Sequence, residues 1–136
     1  MHYKHIYGNF NTVLSQFNLS NRYKKDAKNY GQEALWIVII DAFKNLVGLC
    51  VLGEENKDLC LYELEVSKEY KNCKFENRLL DLSKTYAQDK NKKIFVFVNK
   101  DDNNLVDFYK HNGFTEDDTL VKHDHVALSV CFFIPK

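Results

Sequence analysis

The stretch "ALWIVIIDA", residues 34–42, holds a continuous apolar run rich in β-branched side chains. A strand with one wet face alternates polar and apolar residues, so a run without alternation predicts a strand covered on both faces. Such a strand needs a layer on each side, which a chain of 136 residues is long enough to build. We read the chain as one domain, residues 1–136. "VGLCVL" after the turn "FKNL" predicts the second arm of a hairpin, and "DLCLYELEV" a third strand.

The next segment changes period. In "VSKEYKNCKFENRLLDLSKTYA", residues 66–87, Phe75, Leu79, Leu82 and Tyr86 recur at helical spacing. Asn72 is a plausible N-cap, which would start the helix near that residue. "IFVFV" predicts a further buried strand. "DDNNLVDFYKHNGF" predicts a short helix capped by Asp102, with Leu105, Phe108 and Tyr109 buried. Gly113 is placed to stop that helix in a left-handed conformation, bringing Phe114 onto Tyr109. "HVALSVCFFI" closes the chain as a strand, apolar enough to serve as a partner surface if it lies at a sheet edge. At the other end, "HYKHIYG" predicts a short strand. Val13, Leu14 and Phe17 predict a helix within residues 11–27, and "KKDAKNYGQE" a loop or second short helix. The order is β-α-β-β-β-α-β-α-β, with a further strand undecided near residues 114–121. One strand-helix-strand passage implies a right-handed parallel crossover, and the hairpins imply antiparallel pairs. The expected fold is α/β (α+β): a mixed, mostly antiparallel central sheet flanked by helices.

Nineteen basic residues balance nineteen acidic ones, so the broad positive field of a nucleic-acid binder is not expected. No apolar run approaches the ~20 residues that cross a bilayer, and residues 1–20 hold no apolar leader core. The cysteines Cys50, Cys60, Cys73 and Cys131 form no C-x-x-C pair. We read them as thiols in a reducing, cytoplasmic setting and expect no zinc site. His123 and His125 flank Asp124, but no third metal ligand is indicated.

The order of elements and three motifs resemble the GNAT acetyltransferase family. "WIVIIDAFKNLVGLCVL" is similar to the family's second and third strands, with Gly48 at the usual glycine. "LYELEVSKEYKNCKFENRLL" is similar to its acetyl-CoA-binding strand, loop and helix. "NLVDFYKHNGF" is similar to its closing helix. The resemblance covers roughly residues 35–115. It implies a splayed pair of parallel strands and acetyl-CoA as the cofactor. The backbone of Leu64 and Val66 would face pantetheine. Lys71, Asn72, Cys73, Lys74, Phe75 and Glu76 would surround the pyrophosphate. Tyr109 would donate a proton to the departing thiolate, although aromatic packing against Phe114 also explains that residue. The acceptor would be an amine: a protein N-terminus, a lysine or a small amine.

Four positions depart from the family pattern. Lys74 and Glu76 stand where the pyrophosphate loop carries small residues, usually glycine. Glycine there lets backbone approach phosphate closely. An anion in the first helical turn also repels a phosphate; two charges 4 Å apart interact by about 4 kcal/mol at an effective dielectric of 20. Asp102 replaces the asparagine near the start of the closing helix, and the adjacent Asn103 is a candidate substitute or a solvated cap. Cys60 stands where a base is often found. Glu63, which shares a strand face with Glu65, is the candidate base; a solvated pair of carboxylates is the plainer alternative. About 34 residues precede the second strand, a short allowance for the acceptor-site wall. Two functions therefore stand: an N-acetyltransferase, or an inactive protein of the same fold serving as a structural or protein-interaction subunit.

Overall fold

The computed structural model of the protein describes residues 3–14, 16, 30, 31, 33–123 and 126–135. The expected helix beyond residue 16, with Phe17, most of the 24–33 segment and the Asp124–His125 pair lie outside the described residues. The elements are β1 (Lys4–Gly8), α1 (Phe10–Leu14), β2 (Leu35–Ile40), β3 (Leu46–Glu55), β4 (Asp58–Val66), α2 (Phe75–Lys90), β5 (Ile94–Asn99), α3 (Asn103–His111), β6 (Thr115–His123) and β7 (Val126–Phe133). Among the described residues the strands form one seven-stranded sheet in the order β1-β2-β3-β4-β5-β7-β6. Every neighbouring pair is antiparallel except β4 with β5.

β2 is covered on both faces, as its composition requires. Ile37 and Ile39 pack into a core with Leu79 and Leu80 of α2. Trp36, Val38 and Ile40 pack on the other face with Val13 of α1. The hairpin turn after β2 is built by Asp41, whose Oδ1 accepts from the amides of Phe43 and Asn45, both at 2.9 Å. These bonds, led by the Asn45 amide, hold the Asp41 carboxyl below its ordinary pKa.

Several expectations need correction. β7 is interior, between β5 and β6, so "ALSVCFFI" is not an edge. The edge is β6, "TEDDTLVKH", whose polarity suits an exposed border and kept it out of a hydrophobic-pattern reading. β5 is covered on one face only: Ile94, Val96 and Val98 are buried, while Phe97 is 44% exposed. Phe95 and Phe97 shield each other edge to face, with ring centroids 5.5 Å apart. α2 begins at Phe75 and not near Asn72, because Asn72 and Lys74 both hold left-handed backbone, φ 69° and 65°, which a right-handed helix cannot include. In α3 the buried residues are Val106 and Tyr109; Leu105 is on the outer side. The stop of α3 follows expectation. Gly113 has φ 88°. The Phe114 amide bonds to the Tyr109 carbonyl at 3.0 Å, and the Gly113 amide to that of Lys110 at 3.1 Å.

Leu79 is fully buried between α2 and the sheet. Leu79→Ala is expected to lower unfolding free energy by about 2–5 kcal/mol, measured by denaturant titration. Asp41→Asn should lower the thermal midpoint at pH 7. A depressed carboxyl pKa stabilises the fold above the unfolded value and loses that contribution as pH falls through the folded one. The deficit of the variant should therefore close as pH drops below about 4, in thermal melts over a pH series.

Candidate active site

The parallel pair β4–β5 is joined at only two positions, Leu59↔Ile94 and Cys60↔Phe95. The Leu59 amide donates to the Lys93 carbonyl at 2.8 Å. Beyond residue 60 the strands part. β4 stays with β3 as far as Gly48↔Val66. β5 stays with β7 as far as Asn99↔Leu128. Between them lies a cleft of about 660 Å³. The Ser67 amide points back to β3, donating to the Val47 carbonyl at 2.8 Å. Backbone groups alternate along a strand, so those of Glu65 also face β3, and those of Leu64 and Val66 face the gap.

A bulge lies at the point of divergence. Val51 pairs with Glu63 and Leu52 with Leu61, leaving Tyr62 as the extra residue. The bulge turns Glu63 away from the core that holds Leu61. Its Oε2 accepts from the Tyr30 hydroxyl at 2.8 Å. Tyr30 stacks on Tyr62 at 5.6 Å and 11°. The Tyr62 ring lies across Gly53, where a Cβ would come within 2.0 Å of it.

The turn after β4 leads to the amide end of α2. Ser67 Oγ donates to the Leu46 carbonyl at 2.6 Å. The Tyr70 hydroxyl donates to Asp41 Oδ2 at 3.0 Å, tying the turn to the β2–β3 hairpin. Asn72 and Lys74 both adopt left-handed backbone, with φ 69° and 65°. Lys74 thus takes the conformation for which glycine is normally chosen. The first intrahelical bond is Arg78 N–H to the Lys74 carbonyl, 3.1 Å. The amides of Phe75, Glu76 and Asn77 precede it, and no side chain caps them. Such an end attracts an anion.

Of the residues singled out from sequence, Glu63, Leu64, Lys71, Asn72, Lys74, Glu76 and Tyr109 all line this cleft. Others do not. Val66 and Phe75 send their side chains into the core. Cys73 is exposed and directs its Sγ toward the Lys71 carbonyl. Asn103 is an exposed first-turn residue of α3 and is not part of the lining. Tyr62, Asn77, Phe97 and Leu105 line the cleft without having been expected. Asn77 could have been found by placing the helix start at Phe75, since it then falls in the first turn beside Glu76.

Tyr109 is 4% exposed. Burial raises its hydroxyl pKa, and the neighbouring Cys131, Cys50 and Glu63 push it further. The hydroxyl therefore remains protonated at neutral pH. Cys60 is buried, which pushes its thiol up to about 12 and removes it as a base.

Residues 8–129 match the family model described as an acetyltransferase (GNAT) domain. The chain belongs to the GNAT acetyltransferase family. No curated protein matches it. Among solved structures, this GNAT chain is similar to the ribosomal-protein-S18-alanine N-acetyltransferase of Escherichia coli: TM-score 0.78, 13% identity, 99% of this chain and 96% of that one. It is similar also to a GNAT acetyltransferase of Elizabethkingia anophelis solved with acetyl-CoA bound: TM-score 0.74, 12% identity, 97% of each chain. A Staphylococcus aureus GNAT acetyltransferase gives 0.69 at 20% identity, over 99% of this chain and 100% of that one. At these identities the likeness is one of fold.

A side chain held in left-handed backbone costs about 1–2 kcal/mol, offset in part by the entropy that glycine loses. Lys74→Gly should therefore stabilise the GNAT chain by about 0.5–1 kcal/mol. The same change at Lys71, whose φ is −64° and ψ 147°, should destabilise it. Paired urea titrations of the two variants check the contrast.

Proposed function

We propose that the protein is an acyl-CoA-dependent N-acyltransferase that moves acetyl from acetyl-CoA to an amine. The observation that carries this reading is the parting of β4 and β5 onto the uncapped amide end of α2, with Tyr109 in the same cleft. The residues present fit such a ligand. The left-handed backbone at Asn72 and Lys74 shapes an amide-lined turn, Lys71 and Lys74 supply cations, and the backbone of Leu64 and Val66 is open to a pantetheine amide.

The chemistry assigns one proton to each wall. The amine nitrogen attacks the thioester carbonyl and the C–S bond breaks. Glu63, held by Tyr30, accepts the proton lost by the amine. Tyr109, protonated and buried, gives a proton to the leaving sulfur. The named activities of two structural neighbours, on an alanine of ribosomal protein S18 and on spermidine, support an amine as acceptor. A protein N-terminus, a lysine and a small amine all remain within that class. Among the described residues no helix is long and apolar enough to cross a membrane. The free thiols Cys50, Cys60, Cys73 and Cys131 suit a reducing compartment such as the cytoplasm.

One observation favours a second reading, a fold retained as a structural or protein-interaction subunit without cofactor. Glu76 lines the cleft in the first turn of α2, where its charge opposes a pyrophosphate. Calorimetric titration with acetyl-CoA separates the two readings. Micromolar binding, with Tyr109→Phe lowering kcat by roughly 10²-fold and leaving Kd unchanged, is the expected result. No heat at millimolar ligand would leave the second reading standing. The double change Lys74→Gly with Glu76→Gly should then strengthen or create binding, by tenfold or more.

A further inference from the structure

The two walls of the cleft come from separate parts of the chain. Amides and lysines are carried by the start of α2 and the turn before it, whereas Tyr109 is carried by α3. Transfer by the proposed route requires these to keep a fixed separation. The strands cannot set it, because β4 and β5 share no pairing beyond residue 60.

A side-chain network joins the two helices directly. Asn77 and Lys84 are seven residues apart on α2, which places them on one face. Asn77 Nδ2 donates to Asn112 Oδ1 at 3.2 Å. Lys84 Nζ donates to the Asn112 carbonyl at 2.7 Å. Asn112 in turn grips the turn that carries the tyrosine. Its Nδ2 donates to the Phe108 carbonyl at 2.8 Å, and its backbone amide to that of Tyr109 at 3.0 Å. Asn112 thus engages two groups of α2 and two of the last turn of α3. Asparagine suits the place, since one side chain must both donate to the Phe108 carbonyl and accept from Asn77.

We infer that Asn112, held by Asn77 of the neighbouring helix, is a positioning residue that fixes the Tyr109 hydroxyl relative to the amide end of α2. Neither asparagine need touch the reacting atoms for this. The consequence for catalysis rests on the acyl-transfer reading above, but the tie itself does not. A small misplacement of a proton donor costs rate more than binding, because acyl-CoA is held mainly by β4 and α2.

The test uses the full chain with Asn112→Ala, Asn77→Ala and the double variant. Each single change should lower kcat by roughly tenfold, and the double change should cost little more than either. Asn112→Ala should leave the acetyl-CoA Kd within about twofold and have no further effect on kcat in a Tyr109→Phe background. A purely structural role would give additive losses and persist in that background. A second readout needs no turnover: with 3-fluorotyrosine at position 109, the fluorine resonance should shift or broaden in both single variants. An unmoved resonance overturns the inference, and so do additive kcat losses. If one variant fails to fold, the other, on the opposite helix, decides the matter. If the unaltered protein acetylates no amine, the acyl-transfer reading fails, and the fluorine measurement still judges the tie.

Discussion

The site depends on how two parallel strands are bound. β4 and β5 meet over two residue pairs and then separate, because each is hydrogen-bonded more extensively to its outer neighbour than to the other. A parallel pair that stayed zipped would satisfy its own backbone groups and leave no cleft. The bulge at Tyr62 falls two residues past the last paired position, where an added residue increases twist and bends the strand. Everything functional follows from that divergence. It leaves backbone of β4 open, exposes the start of α2 to the gap, and brings Tyr109 of α3 to the same space.

The turn into α2 shows how a strained loop is kept without glycine. Asn72 and Lys74 sit in left-handed backbone, which their side chains disfavour. The surroundings over-determine that shape. Ser67 is bonded to Leu46, Tyr70 to Asp41, and the rings of Tyr3, Tyr70 and Phe75 pack edge to face. The loop is thus anchored at both ends, by the hairpin turn before it and by Phe75 after it. What differs from a glycine loop is the space and charge at its surface: two lysines and one glutamate line the cleft together. That mixture is the physical origin of the tension between the two functional readings.

Much of the fold was legible because burial leaves a periodic trace. β2 was readable from the apolar run within residues 34–42, of which the structure keeps 35–40, and β4 from residues 58–66, bounds that the structure repeats. The stop of α3 was readable from Gly113 and Phe114, whose bonds to Lys110 and Tyr109 follow local rules. β6 was only half legible, as an undecided strand near residues 114–121. Its residues alternate weakly and are charged, since an edge strand has little to bury. The outward faces of Phe97 and Leu105 were also misjudged, because an apolar side chain lining a cleft looks in sequence like one in a core.

The candidate site divides the same way. Residue types and order along the chain are local information, so Glu63, Lys71, Lys74, Glu76 and Tyr109 could be named from a string of letters. Their convergence is not local: α2 and α3 are brought side by side by the sheet, by the core they share, and by the bonds that Asn77 and Lys84 make to Asn112. Sequence by itself determined that β2 buries both faces, where α3 stops, and that a turn rich in lysine precedes a helix. Tertiary structure alone decided that β4 parts from β5 just after Cys60, that Lys74 takes glycine's backbone, and that Asn103 stays outside the cleft. The reason is that periodicity records what each residue buries, whereas a gap between strands is set by competition among pairings far apart in the chain.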